Sequence, residues 1–435
     1  GSPNSTYKPS PPPAVGDVLH SPTFPTADQP ILVLAQIQGI SPLHPQPVLL
    51  ARDPYMTDDW AEFSMFDDGA HADLQPNDYV YGASIPAGFS SSPLLEFKLR
   101  TTGSTGAQSL FPATNERFTC LIPIGPEPPA SQLPTYTLLL SPTNRTWLET
   151  RDVFSDDPVH ATFIGPDGTV FYEAVTRYRG STSRTSPKKS FRVDFPGDHP
   201  FQGFEKLNLM ARFPIQQWAS YDLSRRAGLP TPHTQLVYFN LNQDPTQLYL
   251  QVEAVDTPML ERAFGSDAGD GNLYRAEKNG DLSDYGEDPL AYKPRYSKVN
   301  NTEADDWSDL IRLSQTFGSE TDRFQQEIEQ RLDIDQLSTF IAVRMVLNDL
   351  EGGIWRSSGD DYFLFFPPGH QPAILIPWDF DSTFREADDT IWRTEVPSIR
   401  RILRSNHFGP RFVSAIDRIL HDQFSEAVLR ARFAT

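Results

Sequence analysis

From residue 31 to about residue 100, apolar and polar positions alternate in short runs, the period of strands with one buried face. Ile31-Leu-Val-Leu-Ala-Gln-Ile37, Val48-Leu-Leu-Ala51, Tyr79-Val-Tyr81 and Leu95-Glu-Phe-Lys-Leu-Arg100 are separated by turn residues, with no helical spacing among them. A small all-β sandwich over 29–125, of the immunoglobulin or fibronectin kind, is the natural reading. Residues 1–28 are rich in Pro, Ser and Thr and read as an extended linker. A second, proline-stiffened linker at 126–135 marks a domain boundary.

Beyond residue 136 the pattern predicts strands near 136–141, 159–164, 170–179, 191–195 and 207–213. Helical spacing over 216–227 stops at Gly228, with Pro230 beyond it, a C-terminal signal. A strand pair at 236–240 and 248–253, a short helix at 259–264 and a strand at 272–276 follow. The period then changes to three and four over 305–316, 323–331 and 334–350, where Leu337, Phe340, Ile341 and Met345 share a face. A strand pair at 362–366 and 373–377 precedes a last helical stretch, 398–435. A sheet-rich part followed by a helical one is an α+β arrangement, with a cleft expected between the halves.

Composition narrows this picture. The chain has 435 residues, 40 prolines and a formal charge of −20, which argues against a nucleic-acid binder because phosphate backbones would be repelled over most of the surface. With one cysteine, Cys120, no internal disulfide can form. No apolar run is long enough to span a bilayer. Gly1-Ser2 reads as a cloning remnant, so a signal peptide would already have been removed.

Against that acidity, Arg177, Arg179, Arg184, Lys188, Lys189 and Arg192 crowd around Gly180-Ser-Thr-Ser183. Small-residue amides and cationic side chains both favour anions, so a strand–loop–strand of this kind is a candidate phosphate cradle; a charged hairpin edge is the plainer alternative. The counterpart is acidic. Asp349 and Glu351 close a helix, Asp360 and Asp361 open a strand, and Asp379 and Asp381 end the next one, where strand alternation would put both on one face. Clustered carboxylates repel unless a cation lies between them, so such a pair is either a site for a hard divalent metal or a solvated strand end. In the turn-rich stretch 65–81, Asp67, Asp68, Asp73 and Asp78 could supply oxygens to a calcium ion, although such residues also build tight turns.

Taken together, Arg179-Gly-Ser-Thr-Ser-Arg-Thr-Ser-Pro-Lys-Lys-Ser-Phe-Arg-Val193 and Trp378-Asp-Phe-Asp-Ser-Thr-Phe384 resemble the spore-coat CotH family of atypical protein kinases. Ala227-Gly-Leu-Pro-Thr-Pro232, Leu248-Tyr-Leu-Gln-Val-Glu253, Gly271-Asn-Leu-Tyr-Arg-Ala-Glu277, Asp305-Asp-Trp-Ser-Asp-Leu310 and Gly359-Asp-Asp-Tyr-Phe-Leu364 match in the same order. Phe66-Asp-Asp-Gly-Ala-His-Ala-Asp73 also looks like part of the β-sandwich attached ahead of such domains. The resemblance implies a divergent, two-lobed protein-kinase-like domain over 136–435. Such a domain binds ATP with Mg²⁺ or Mn²⁺ and phosphorylates Ser or Thr of a secreted, cell-surface or spore-coat protein. It places Arg179, Ser183, Arg184, Lys188 and Lys189 on the phosphates, pairs Lys189 or Arg192 with Glu253, and makes Asp379, with Asp381 beside it, the metal-binding aspartate.

One departure stands out. The family carries Trp-Asp shortly before an Asn-Tyr-Tyr-Leu-Tyr strand; here Asp360-Asp361-Tyr-Phe-Leu-Phe365 puts Asp361 in place of the metal-binding Asn. The catalytic carboxylate is then Asp349, Glu351 or Asp360. Two other readings stay open: a catalytically silent scaffold of an extracellular or surface assembly, and transfer of a group other than phosphate. The kinase reading expects the cationic hairpin and the carboxylates to face one another across one crevice.

Overall fold

A computed structural model describes residues 13–39, 45–71, 73, 75–103, 106–112, 117–319, 323–349, 351–355, 359–384 and 396–433. The chain is α+β with several sheets, and it forms two compact units, Gly1–Ala211 with Leu236–Tyr249 and Arg212–Gln235 with Leu250–Thr435.

In the first unit, alternation does what the sequence suggests. Strands β1 (Ala14–Ser21), β2 (Ile31–Gln38) and β5 (Val80–Ile85) make one antiparallel sheet in the order β1-β2-β5. Strands β3 (Val48–Arg52), β4 (Ala61–Ser64), β6 (Leu94–Thr102) and β7 (Gln108–Phe111) make a second, with β8 (Cys120–Pro123) also paired to β6. Ile31, Val33, Ala35 and Ile37, every second residue of β2, share a core with Leu49, Ala51, Leu95, Phe97 and Leu99. Each fully buried Val, Leu, Ile or Phe of this core contributes about 1.5–3 kcal/mol. The linker reading of 1–28 fails at β1, which pairs with β2 along its length. Its pattern is obscured by a register shift between Gly16 and Leu19 and by Asp17 at φ 45°. Residues 1–12 lie outside the described residues.

Seven strands follow: β9 (Thr135–Leu139), β10 (Val159–Ile164), β11 (Val170–Arg179), β12 (Ser190–Asp194), β13 (Lys206–Met210), β14 (Thr234–Leu241) and β15 (Gln247–Glu253). They close into a barrel in the order β10-β11-β12-β13-β15-β14-β9, which leaves no strand edge unpaired. Its core is aromatic: Phe163 meets Tyr136, Phe171, Phe195 and Phe201 edge-on. Helix α1 (Pro142–Thr150) was not expected from the pattern; Ser141 Oγ caps it by accepting from the Asn144 amide at 3.2 Å.

The second unit sets helices around a sheet. Its elements are α2 (Pro214–Arg226), α3 (Thr257–Phe264), β16 (Asn272–Ala276), β17 (Tyr296–Lys298), α4 (Ser308–Gly318), α5 (Phe324–Glu329) and α6 (Ile334–Val346). Then come β18 (Tyr362–Phe366), β19 (Ile374–Pro377), α7 (Pro397–Leu403), α8 (Gly409–Arg418) and α9 (Glu426–Phe433). The sheet runs β17-β16-β18-β19. Asp333 caps α6 through the Gln336 amide at 2.9 Å, and the predicted face of Leu337, Phe340, Ile341 and Met345 is buried. Among the described residues, no helix is long and apolar enough to cross a membrane.

Candidate functional site

The acidic residues of the second unit come together at the open end of the β18–β19 hairpin. Antiparallel pairing of Tyr362 with Pro377 brings the residues before one strand opposite those after the other, and the Trp378 amide donates to the Asp361 carbonyl at 3.1 Å. Strand alternation does not set the geometry of Asp379 and Asp381, as the sequence suggested it would. β19 ends at Pro377, and Asp379 turns the chain at φ 50°. Asp361 at φ 61° and Asn348 at φ 46° are left-handed too. Such backbones cost on the order of 1–3 kcal/mol each and persist only where the surroundings enforce them.

At Asp361 and Asp379, what enforces them is Arg344. It lies on α6 with no exposed surface, and its guanidinium donates to the carbonyls of Asp361, Trp378 (2.6 Å) and Asp379 (3.2 Å) and to the carboxylate of Asp349. Phe380 stacks beneath it at 4.3 Å. Asp349 is equally buried, and Gly352 packs so closely that a Cβ there would stand 2.4 Å from the Asp349 carboxylate. Sequence reasoning missed Arg344. Its signal was a lone cation amid the apolar residues of α6.

The outer carboxylates feel one another. Burial raises the Asp361 carboxyl well above the ordinary range; repulsion from Asp379 and then Asp360 adds to this, while Arg344 opposes it. Burial also raises Asp381, against the pull of Arg212, with Glu351 pushing it further up. The Arg212 guanidinium donates to Asp381 at 3.1 Å. The Asp379 amide donates to the Tyr221 hydroxyl of α2 at 3.2 Å. Of the three candidate catalytic carboxylates, Asp349 is sealed in its ion pair, Asp360 is half-buried and Glu351 is exposed.

The cationic loop belongs to the first unit, between β11 and β12. Gly180 has φ 103°, and a Cβ there would meet Ser183 Oγ at 2.0 Å, so the loop can be this tight only with glycine. Arg184 is buried and donates to the carbonyls of Gly180 (2.7 Å), Phe154 (2.9 Å) and Ser155 (3.3 Å) and to Asp156 (2.5 Å). Lys188 donates to the Leu248 carbonyl at 2.6 Å over the Tyr249 ring, and burial lowers its pKa. Lys189 donates to the Arg184 carbonyl at 2.5 Å, and Arg192 pairs with Asp194 at 2.7 Å. Arg179 ends β11, and Ser183 lies half-buried in a short 3₁₀ turn. In the second unit, Glu253 accepts from the His233 amide at 2.8 Å and pairs with Arg262 at 2.5 Å. Arg184, Lys188, Lys189 and Arg192 are thus engaged with the first unit's own carbonyls and carboxylates, and Glu253 has an arginine partner for which the sequence carries no signal.

Between β4 and β5, Asp67, Asp68, Asp73 and Asp78 each accept a nearby amide hydrogen, as turn residues do. Among the described residues, no group of three or more His, Cys, Asp or Glu is placed to hold a metal ion. The pair Asp361 and Asp379 suits a cation that takes one or two protein carboxylates and completes its shell with phosphate and water oxygens, as Mg²⁺ does.

Compared with known families, residues 176–434 match the profile described as CotH kinase protein. That span includes every candidate residue of the basic loop and the carboxylate cluster. The chain is also similar to inner spore coat protein H of Bacillus subtilis (strain 168), 26% identical over 264 residues, which cover 58% of this chain and 70% of that protein.

Proposed function

Because this chain belongs to the CotH kinase protein family, we propose that it transfers phosphate from ATP to Ser or Thr of a coat or extracellular protein. The observation that carries the reading is the carboxylate cluster around Arg344, in which Asp361 is held near Asp379 at the cost of mutual repulsion. Asp361 and Asp379 would hold Mg²⁺ or Mn²⁺, whose charge, when bound, neutralises phosphate oxygens. Arg344 and Asp349 position both aspartates by fixing the main chain on either side of the hairpin mouth. Glu351, the exposed carboxylate beside Asp381, accepts the substrate hydroxyl proton; Asp360 is the reserve candidate. Within the first unit, Arg184 and Lys188 shape the loop that carries Arg179, Ser183 and Lys189, its candidate anion donors. Similarity to an inner spore coat protein supports a coat location, and a divergent two-lobed kinase arrangement belongs to the same proposal.

One observation favours a second reading, a silent scaffold: the side chains of Arg184, Lys188 and Lys189 already donate to main-chain carbonyls. Thermal denaturation separates the two. A ligand at a hundred times its Kd stabilises by about 2.7 kcal/mol, so ATP with Mg²⁺ should raise the melting temperature of the wild type and leave Asp379→Ala unmoved. A scaffold shows no shift in either protein.

A further inference from the structure

Beside the carboxylates, the second unit carries an apolar groove of about 510 Å³. Ile215, Ala219 and Leu223 of α2 form one wall, and Phe213, Phe384 and Phe424 close the rest. Phe213 is 42% exposed, Ile215 50% and Phe384 46%, large apolar surfaces that a folded chain would ordinarily cover. Phe213 (φ 47°) and Phe384 (φ 56°) both take the left-handed backbone that bulky residues avoid. Each ring is thus held on the groove by a backbone that is costly to keep.

We propose that this groove docks a leucine or phenylalanine side chain of the protein substrate, next to the Ser or Thr presented to the carboxylates; this rests on the phosphotransfer reading above. The groove and the carboxylates are joined twice. Arg212, adjacent to Phe213, pairs with Asp381 at 3.1 Å. Thr383, adjacent to Phe384, accepts from Gln216 at its carbonyl and shares a hydrogen bond with Ser220 of α2 at 3.1 Å. Phe384 follows Asp381 by three residues, so its Cα lies at most about 10 Å further along the chain. An anchor in the groove therefore stands within about three residues of the acceptor. The extent of the groove favours a linear segment over a second copy: among the described residues nine line it, whereas a stable protein–protein interface uses about 20–30 residues a side.

The test uses the full chain and two fluorescein-labelled peptides. They are identical except for leucine or asparagine three residues to either side of a single serine. Burial of one leucine predicts about tenfold tighter binding of the leucine peptide by anisotropy. Ile215→Asp, at an exposed position in the first turn of α2 where an acid suits the helix dipole, should erase that preference without lowering the melting temperature. Ala219→Trp, which fills the groove, should do the same. Equal binding of the two peptides, or a preference that survives both variants, overturns the proposal. So does a dimer by light scattering that Ile215→Asp converts to monomer, since the occupant would then be a second copy. If no phosphate is transferred but the leucine preference stands, the phosphotransfer reading falls and the docking groove is supported. If phosphate reaches both serines equally, the groove falls and phosphotransfer remains.

Discussion

A guanidinium with no exposed surface holds three main-chain carbonyls and one buried carboxylate at the mouth of the β18–β19 hairpin. Arg344→Met should therefore cost about 3–5 kcal/mol, because it strands the Asp349 charge in the interior. Arg344→Lys should recover little, since one ammonium cannot reproduce a planar fork of donors. Guanidinium-denaturation midpoints of the wild type and both variants check this, with Arg344→Lys expected much nearer to Arg344→Met than to wild type. At this scale the sequence exposed the acids more readily than what organises them. Asp361, Asp379 and Asp381 were visible as a cluster of like charges. Arg344 was not, because a single cation within a helix reads as surface until the helix is found buried on every side. The roles of Arg184 and Glu253 were hidden for a related reason: their partners, Asp156 and Arg262, carry no motif of their own.

Among elements, periodicity was a good guide wherever an element has a buried face and poor where a turn decides. The helices predicted over 216–227 and 334–350 appear as α2 and α6, and the strand pair 362–366 and 373–377 appears as β18 and β19. Alternation misled at Asp379 and Asp381 because β19 stops two residues earlier and a left-handed aspartate redirects the chain. It hid β1 behind a bulge. The α1 helix did leave a trace, Ser141-Pro142, a capping residue followed by proline at the first helical position. The loop between β11 and β12 offers a test at this scale. Gly180→Ala must strain a backbone at φ 103° and displace Ser183. It should cost about 1–3 kcal/mol and open the loop to trypsin at Arg184 or Lys188, measured by denaturation and limited proteolysis. Unchanged stability and protection would show that the loop tolerates another shape.

For the molecule as a whole, acid should act through the first unit as well as through its carboxylates. His20 and His160 are buried, and burial lowers each from the ordinary 6.5 to about 4. Both are neutral in the folded protein, whereas the unfolded chain takes up protons below about pH 6.5. Stability contributed by each is therefore present above that value and is lost as pH falls towards 4, by roughly 3 kcal/mol per histidine. Denaturation midpoints between pH 7 and pH 4 should fall less steeply in the His20→Gln/His160→Gln double variant than in the wild type. The broad assignment was legible from order and composition together: several short motifs in one sequence, each weak alone, point to the family that residues 176–434 match. The chemistry was less legible, since it depends on which carboxylate is sealed and which is open, and only packing decides that.

The central claim is that Asp379 and Asp361 serve phosphoryl transfer. Intact-mass measurement of a serine peptide incubated with the full chain, ATP and Mn²⁺ tests it most directly, with Asp379→Asn run alongside. The account predicts a gain of one phosphoryl mass with the wild type and none with the variant. No gain at saturating ATP, an adenylyl gain instead, or an equal phosphoryl gain with Asp379→Asn would contradict it.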